Sequence, residues 1–125
     1  MNRFSFIFTM SIFASVLILL TGCDIHTSKP QALHAKRNSE MRRLLVALEM
    51  FRDKSGGLPA SLDDLQKNDI AVQDINIQSY EYRSEGVTVA DGTRWLLTTP
   101  DPKDSAKLIV GRLPVEVAVK EPKQQ

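Results

Sequence analysis

The chemistry that this sequence can offer begins with its single cysteine. Cys23 follows the apolar run Phe4–Leu20 and the two small residues Thr21 and Gly22. A thiol can pair in a disulfide, bind a metal ion or carry a covalent modification. Because the chain has no second cysteine, it can form neither an internal disulfide nor a CxxC metal site. The folded part must therefore be stabilised by a packed core.

The residues before Cys23 are ordered like an export signal. One basic residue, Arg3, precedes an apolar stretch of 17 residues that contains one threonine and three serines, and the small residues Thr21 and Gly22 follow it. This length lies at the short edge of what a membrane-spanning helix needs. We therefore predict that residues 1–22 are a cleaved signal peptide. The alternatives are an uncleaved membrane anchor and an ordinary secretory signal that ends in cysteine.

The segment LTGC, Leu20–Cys23, resembles the lipobox of bacterial lipoproteins, in which an aliphatic residue stands three positions before the cysteine. The resemblance implies that Cys23 becomes the first residue of the mature chain, with diacylglycerol on its sulfur and an acyl chain on its amine. Two or three acyl chains, at about 0.8 kcal/mol per buried CH₂, make a lasting anchor where one chain is marginal. The implied location is the bacterial cell membrane, with the protein lipid-anchored on the periplasmic side.

Asp24 bears on which membrane holds the protein. It resembles the residue that, directly after the lipidated cysteine, keeps enterobacterial lipoproteins in the inner membrane. The resemblance implies an inner-membrane location where that sorting rule applies. Alternatively, Asp24 is an arbitrary polar residue at the start of the tether, which we assign to residues 23–30.

Few residues suggest catalysis or ligand binding. Removing residues 1–22 takes away one of 16 basic residues and none of 15 acidic ones, so the mature chain is neutral and lacks the basic field that nucleic acid requires. His26 in the tether and His34 near the start of a predicted helix have no cysteine partner and no carboxylate at ligand spacing, so we expect both at the solvated surface. No GxSxG, HExxH or phosphate-binding glycine loop occurs. We predict no enzymatic activity, no nucleic-acid partner and no cofactor besides the acyl chains, and we identify no small-molecule substrate.

Two aspartates could supply oxygen ligands to a hard cation. Asp101 and Asp104 lie in the turn-rich loop TPDPKDS, and Asp91 could lie near them. Aspartates next to prolines are also ordinary turn formers. We therefore predict no metal site and keep Asp101 and Asp104 as the calcium candidates.

The aromatic residues divide into surface and core candidates. Tyr80 and Tyr82 alternate in a predicted strand, so that both rings lie on one face, and we keep them as candidates for a partner surface. Trp95 also alternates within a predicted strand, and we expect it in the core.

A long helix is predicted to position these residues. Within Ser39–Gly57, the apolar side chains that fall on an i, i+3, i+4, i+7 stripe are Met41, Leu44, Leu45, Leu48 and Phe51. The paired glycines after this segment fit the end of a helix. We predict a helix from about Gln31 to about Lys54, followed by a short second helix or turn in LPASLDDL.

After Ile70 the apolar period changes from helical to alternating. The alternating positions are Ile75 and Ile77, Tyr80 and Tyr82, Val87 and Val89, and Trp95 with Leu97. We predict a bulge or strand boundary near Gln78 and Ser79, and a hairpin turn at Asp91–Gly92. Pro114 is expected at a sheet edge or at a break in a later strand.

These elements predict an α+β domain over residues 31–119, in which a long amphipathic helix packs on a small antiparallel sheet. Residues 120–125 are predicted to form a flexible tail.

The order of the long helix, then FRDKSGGLPASLDDL, YEYRSEG and WLLTTPDP, resembles the soluble part of type IV pilin-like proteins, especially the pseudopilins of type II secretion. The similarity covers about Lys36 to Gly111, with its core in Leu44–Leu65.

The lipobox and the pilin-like resemblance together imply a lipid-anchored, periplasm-facing binding or structural module that contacts another envelope protein, such as a component of a secretion or pilus-type assembly. The pilin-like resemblance would also imply calcium binding by a loop near Asp101 and Asp104, as in major pseudopilins. The chain departs from the family because no glutamate interrupts Phe4–Leu20, where pilin-like precursors carry one at the fifth position of the apolar helix. The alternative is a stand-alone envelope lipoprotein, such as an inhibitor or stress factor.

Overall fold

The computed structural model describes residues 29–124; the predicted signal peptide, Cys23, Asp24 and His26 lie outside the described residues. The elements are α1 (Lys29–Ser55), α2 (Leu62–Asn68), two 3₁₀ turns (Ile70–Val72 and Ile77–Ser79), β1 (Glu81–Thr88), β2 (Arg94–Asp101), β3 (Asp104–Arg112) and β4 (Glu116–Lys120). The four strands pair antiparallel in the order β1-β2-β3-β4. The predicted α+β class, with one long helix and an antiparallel sheet, is confirmed.

Helix α1 closely follows the sequence pattern. It begins two residues before the predicted start and ends at Ser55, after which Gly56 takes a φ of 79° and donates its N–H to the carbonyl oxygen of Arg52 at 2.8 Å. The α1 side chains buried among apolar neighbours are Met41, Leu44, Leu45, Ala47 and Leu48. The predicted stripe thus faces the core. Among residues 29–124, no helix combines the length and apolarity that a membrane crossing requires.

The helix lies close to the sheet at Gly111 of β3. A Cβ atom at this position would lie 2.8 Å from the Cδ1 atom of Leu45 and 2.9 Å from the sulfur of Met41. Real Cβ atoms do not come this close to their neighbours, so the absence of a side chain lets β3 approach α1. Ile109 and Leu97 lie in the same core, and both are fully buried.

The segment before β1 differs from the prediction. Ile75 and Ile77 alternate like strand residues, yet Ile77 begins a 3₁₀ turn and β1 starts only at Glu81. The side chain of Asn76 caps that turn, and Gln66 of α2 donates its side-chain N–H groups to the carbonyl oxygens of Val72 and Ile75, at 3.0 and 2.8 Å. These local hydrogen bonds compete with strand pairing. The predicted boundary near Gln78 and Ser79 is confirmed.

The β1–β2 hairpin is confirmed at Asp91–Gly92. The carboxylate of Asp91 accepts hydrogen bonds from the backbone N–H and the hydroxyl of Thr93, at 3.0 and 2.6 Å. Trp95, one residue into β2, is 1 % exposed in a second apolar cluster with Val89 and Val110, as its predicted core position requires.

The later strands also show where the tail prediction is wrong. The chain breaks its pairing at Pro114, between β3 and β4, as predicted. Lys120 belongs to β4, and Pro122 forms a bridge with Val89 while Ala90 donates its N–H to Glu121. Residues 120–122 are therefore held against the end of β1, and the predicted tail begins too early.

Candidate functional site

An open groove runs between the second half of α1 and the segment that follows α2. We call it the α1 groove; it consists of two adjoining depressions that share Ala47, Met50 and Asp69. The first has a volume of about 460 Å³ and extends to Leu65, Lys54 and Ile70. The second has a volume of about 330 Å³ and extends to Arg42, Val46 and Ala71.

The rims of the α1 groove expose large apolar side chains. Val46 and Met50 on α1 are 47 % and 49 % exposed, and Ile70 on the opposite rim is 84 % exposed. The floor is apolar too, since Ala47 and Leu65 are buried. Apolar side chains gathered around a groove are a recurrent feature of protein-binding surfaces, whereas isolated exposed ones are ordinary.

Polar contacts fix the rim that carries Ile70. The guanidinium group of Arg43 on α1 bonds both carboxylate oxygens of Asp74, at 2.6 and 3.1 Å, and also donates to the carbonyl oxygen of Ala71. The hydrogen bond with Asp74 raises the pKa of Arg43, and the same bond lowers the pKa of the Asp74 carboxyl. Both side chains are largely exposed, so the ion pair adds little to the stability of the fold. The two hydrogen bonds of this bidentate pair nevertheless restrict the position of the rim relative to α1. The guanidinium group of Arg43 thus links the segment that carries Ile70 to α1.

The side chains that line the α1 groove carry an excess of positive charge. Arg42 and Lys54 are exposed and form no salt bridge within residues 29–124. The lining carboxylate is that of Asp69, which accepts the backbone N–H of Ala71 at 2.9 Å. A ligand of this site would meet a basic group at each end and, between them, apolar side chains together with the Asp69 carboxylate.

The two tyrosines that we proposed as a partner surface lie elsewhere, against the core. Tyr80 is 6 % exposed, and its hydroxyl donates to the carbonyl oxygen of Arg37 at 3.3 Å. Tyr82 is partly buried, and its hydroxyl donates to the carbonyl oxygen of Pro59 at 2.7 Å. Burial raises the pKa of both hydroxyls. Tyr80 is therefore a core residue, which contradicts its predicted place on a surface, whereas a contact role for Tyr82 stays a prediction.

The two calcium candidates use their carboxylates within the chain. Asp101 is 6 % exposed, and its Oδ1 atom accepts the Nδ1–H of His34 at 2.8 Å and the N–H of Lys103 at 2.9 Å. Asp104 accepts the N–H of Ala106 at 3.0 Å. Each aspartate thus bonds the backbone two residues on, which is the turn-forming role that we gave as the alternative.

Asp91 does not join these two aspartates. It precedes β2, whereas Asp101 ends it, so the strand separates them by about 23 Å at 3.3 Å per residue. Among residues 29–124, no three His, Cys, Asp or Glu side chains are grouped so that they could hold a metal ion. Calcium binding at Asp101 and Asp104 stays a hypothesis drawn from the resemblance.

Sequence reasoning missed both the α1 groove and the bond between His34 and Asp101. We expected His34 at the solvated surface, but it is 19 % exposed and joins the first turns of α1 to the β2–β3 hairpin. Part of the groove could have been predicted from the sequence, because Val46 and Met50 are apolar residues of α1 that lie off the buried stripe. Ile70 gave no signal of exposure, since an isolated isoleucine is usually buried.

Comparison with known proteins places this chain in no family. No protein-family model, no curated protein and no solved structure matches it. The lipobox and the pilin-like likeness therefore stay predictions from the sequence.

Proposed function

We propose that this protein is a lipid-anchored module on the periplasmic side of a bacterial membrane, where it binds another envelope protein through the α1 groove. The observation that carries the binding role is the open groove, with Val46, Met50 and Ile70 exposed on its rims. Burying three such side chains against a partner would contribute several kcal/mol, at about 25 cal/mol per Å² of apolar surface.

The anchor rests on the position of Cys23 relative to α1. Lys29, where α1 begins, is the sixth residue after the cysteine, so an extended tether spans about 20 Å. Helix α1 has 27 residues and is about 40 Å long at 1.5 Å per residue. The α1 groove would thus stay within about 60 Å of the bilayer, a distance suited to partners in or near the same membrane. Asp24 supports the inner membrane as that location.

A place in a secretion or pilus-type assembly is the finer part of the proposal. A long helix followed by a four-stranded antiparallel sheet agrees with the resemblance to pseudopilins. The missing glutamate in Phe4–Leu20 favours an accessory role over that of a filament subunit. The same departure also supports the alternative, a stand-alone envelope lipoprotein.

Lipid attachment predicts a specific outcome for Cys23→Ser. The wild-type amino-terminal peptide should begin at residue 23 and carry the mass of diacylglycerol and an acyl chain, whereas the variant should keep residues 1–22 and carry no lipid. Mass spectrometry of the amino-terminal peptide measures both properties. Thr27→Ser, in the same tether, serves as the control and should mature normally. Cleavage of Cys23→Ser before residue 23, or a wild-type peptide that carries no lipid, would refute the anchor.

The accessory role predicts which proteins co-purify with this chain. At native abundance, the detergent-solubilised wild type should recover subunits of a type II secretion or type IV pilus system, identified by mass spectrometry. Met50→Glu should lose them, because it places a charge on the apolar rim. Leu33→Glu is the matched control, since Leu33 lies on the same helix outside the α1 groove and is 46 % exposed. Absence of these subunits from the wild-type sample would favour the stand-alone lipoprotein.

A further inference from the structure

We propose that the α1 groove receives an amphipathic helix of its partner, in which a short apolar stripe is flanked by acidic residues at both ends. This inference rests on the proposed binding function and names the chemical class of the partner segment. It follows from the length of the exposed rim, the concave shape of the site and the charges at its two ends.

The length of the site comes from four residues of α1 at successive i, i+4 positions. They are Arg42, Val46, Met50 and Lys54, all exposed. Such a row forms one ridge along a helix surface. From Arg42 to Lys54 it extends about 18 Å at 1.5 Å per residue, which equals about three turns of a partner helix. The two apolar residues lie in the middle, and the two basic residues lie at the ends.

The shape favours a helix over a membrane surface. Ile70 faces the ridge from the opposite rim, and the small side chain of Ala47 lies between them on the floor. A cylinder with apolar side chains on one stripe can enter such a channel and contact both rims, which is the usual way in which a groove binds a helix. A flat bilayer would contact the rims and leave the floor uncovered.

The basic groups of the α1 groove favour a partner helix with acidic residues at both ends. Arg43 is already paired with Asp74, so the basic groups left to meet a ligand are Arg42 and Lys54. Glu49 and Asp53 also belong to α1, but neither lines the α1 groove. Acidic residues at both ends of the partner helix would complement the two basic ends and set its register.

A second copy of this chain is a poorer occupant. A twofold dimer through the α1 groove would place one ridge against the same ridge of the other copy. Its basic ends, Arg42 and Lys54, would then face basic ends, and like charges placed opposite one another oppose association.

Peptide binding tests the inference directly. The full-length lipidated protein, reconstituted in lipid nanodiscs, is titrated into a fluorescent synthetic helix of about 16 residues, with leucines on one stripe and glutamates at both ends. The comparison peptide has lysines at both ends and is otherwise identical. Fluorescence anisotropy should show that the glutamate-flanked peptide binds about tenfold more tightly or better.

Variants show whether the peptide occupies the α1 groove. Ile70→Asp and Met50→Glu should each weaken binding of the acidic peptide about tenfold or more, while the matched control Leu33→Glu should bind like the wild type. The double variant Arg42→Glu/Lys54→Glu should reverse the preference between the two peptides. Circular dichroism of each variant should confirm that the domain is folded.

Three outcomes would overturn the inference. Equal binding of both peptides would refute the acidic flanks, and undiminished binding to Ile70→Asp would refute the groove. The third is that neither peptide binds the wild type, whereas Ile70→Asp lowers the binding of the Cys23→Ser chain, produced without residues 1–22, to anionic vesicles, which would make this face a membrane contact. Failure of lipidation at Cys23 is measured separately by mass spectrometry, so it would refute the proposed anchor and leave the peptide result standing.

Discussion

Gly111→Val is expected to lower the free energy of unfolding by about 3 kcal/mol, because β3 meets α1 with no room for a side chain at this position. Even a Cβ atom would lie 2.8 Å from a carbon of Leu45 and 2.9 Å from the sulfur of Met41, and valine adds two methyl groups beyond it. Valine favours strands by up to about 1 kcal/mol in isolation, so a net loss would show that packing outweighs propensity. Urea denaturation followed by circular dichroism measures the loss.

Two further variants separate the clash from a general effect of replacing glycine. Gly57→Val is the control: a Cβ atom there would have no neighbour within 4 Å, and we expect a change within about 0.5 kcal/mol. Leu45→Ala should partly relieve Gly111→Val, so that the double variant loses less stability than the two single variants together. Additive losses would contradict the close approach of helix and strand.

The sequence predicted those parts of the fold that local patterns determine. The apolar stripe that includes Leu44 and Leu48 has the helical period, and a glycine pair follows it, so α1 could be placed to within two residues. The hairpin at Asp91–Gly92 was predictable because the turn residues and the flanking alternation agree.

The errors arose where side-chain hydrogen bonds or distant contacts prevail over a local pattern. Ile75 and Ile77 alternate as in a strand, yet Gln66 and Asn76 bond the backbone of this segment and hold it out of the sheet. The alternation of Tyr80 with Tyr82 also led us to predict Tyr80 on a partner surface. In the folded chain its ring packs into the core beneath α1, and its hydroxyl bonds the carbonyl oxygen of Arg37.

The candidate site was the least predictable part. The α1 groove exists because the segment after α2 lies across α1 and leaves Met50 and Ile70 uncovered, and this depends on tertiary packing that no short-range pattern encodes. The contact between His34 and Asp101 joins residues 67 positions apart. Nothing in the spacing of two isolated residues predicts such a bond.

The buried carboxylate of Asp101 is expected to make the protein less stable in acid. Burial alone would raise its pKa, but the hydrogen bonds from His34 and from the N–H of Lys103 outweigh burial and hold the pKa below its ordinary value of 3.8. A carboxyl whose pKa is lower in the folded than in the unfolded chain stabilises the fold at neutral pH. That contribution should disappear as the pH falls from about 4 to the lower pKa of the folded state.

Substituting His34 or Asp101 should show how much their hydrogen bond contributes to the free energy of unfolding. At pH 7, His34→Leu should lower the free energy of unfolding by about 3 kcal/mol, since the almost fully buried carboxylate of Asp101 would keep one donor. Asp101→Asn should cost less, about 1–2 kcal/mol, because the amide oxygen can still accept a hydrogen bond. It should also flatten the decline in stability below pH 4, which urea denaturation at several pH values measures.

Asp104→Asn is the matched control, because Asp104 lies in the same hairpin and bonds its own turn, but its side chain is 47 % exposed. We expect it to change the free energy of unfolding by no more than about 0.5 kcal/mol and to keep the wild-type acid profile. If Asp101→Asn and Asp104→Asn gave the same profile, the acid sensitivity would have to arise elsewhere. If His34→Leu were as stable as the wild type, the bond between α1 and the β2–β3 hairpin would contribute nothing, and the first turns of α1 would be held by packing alone.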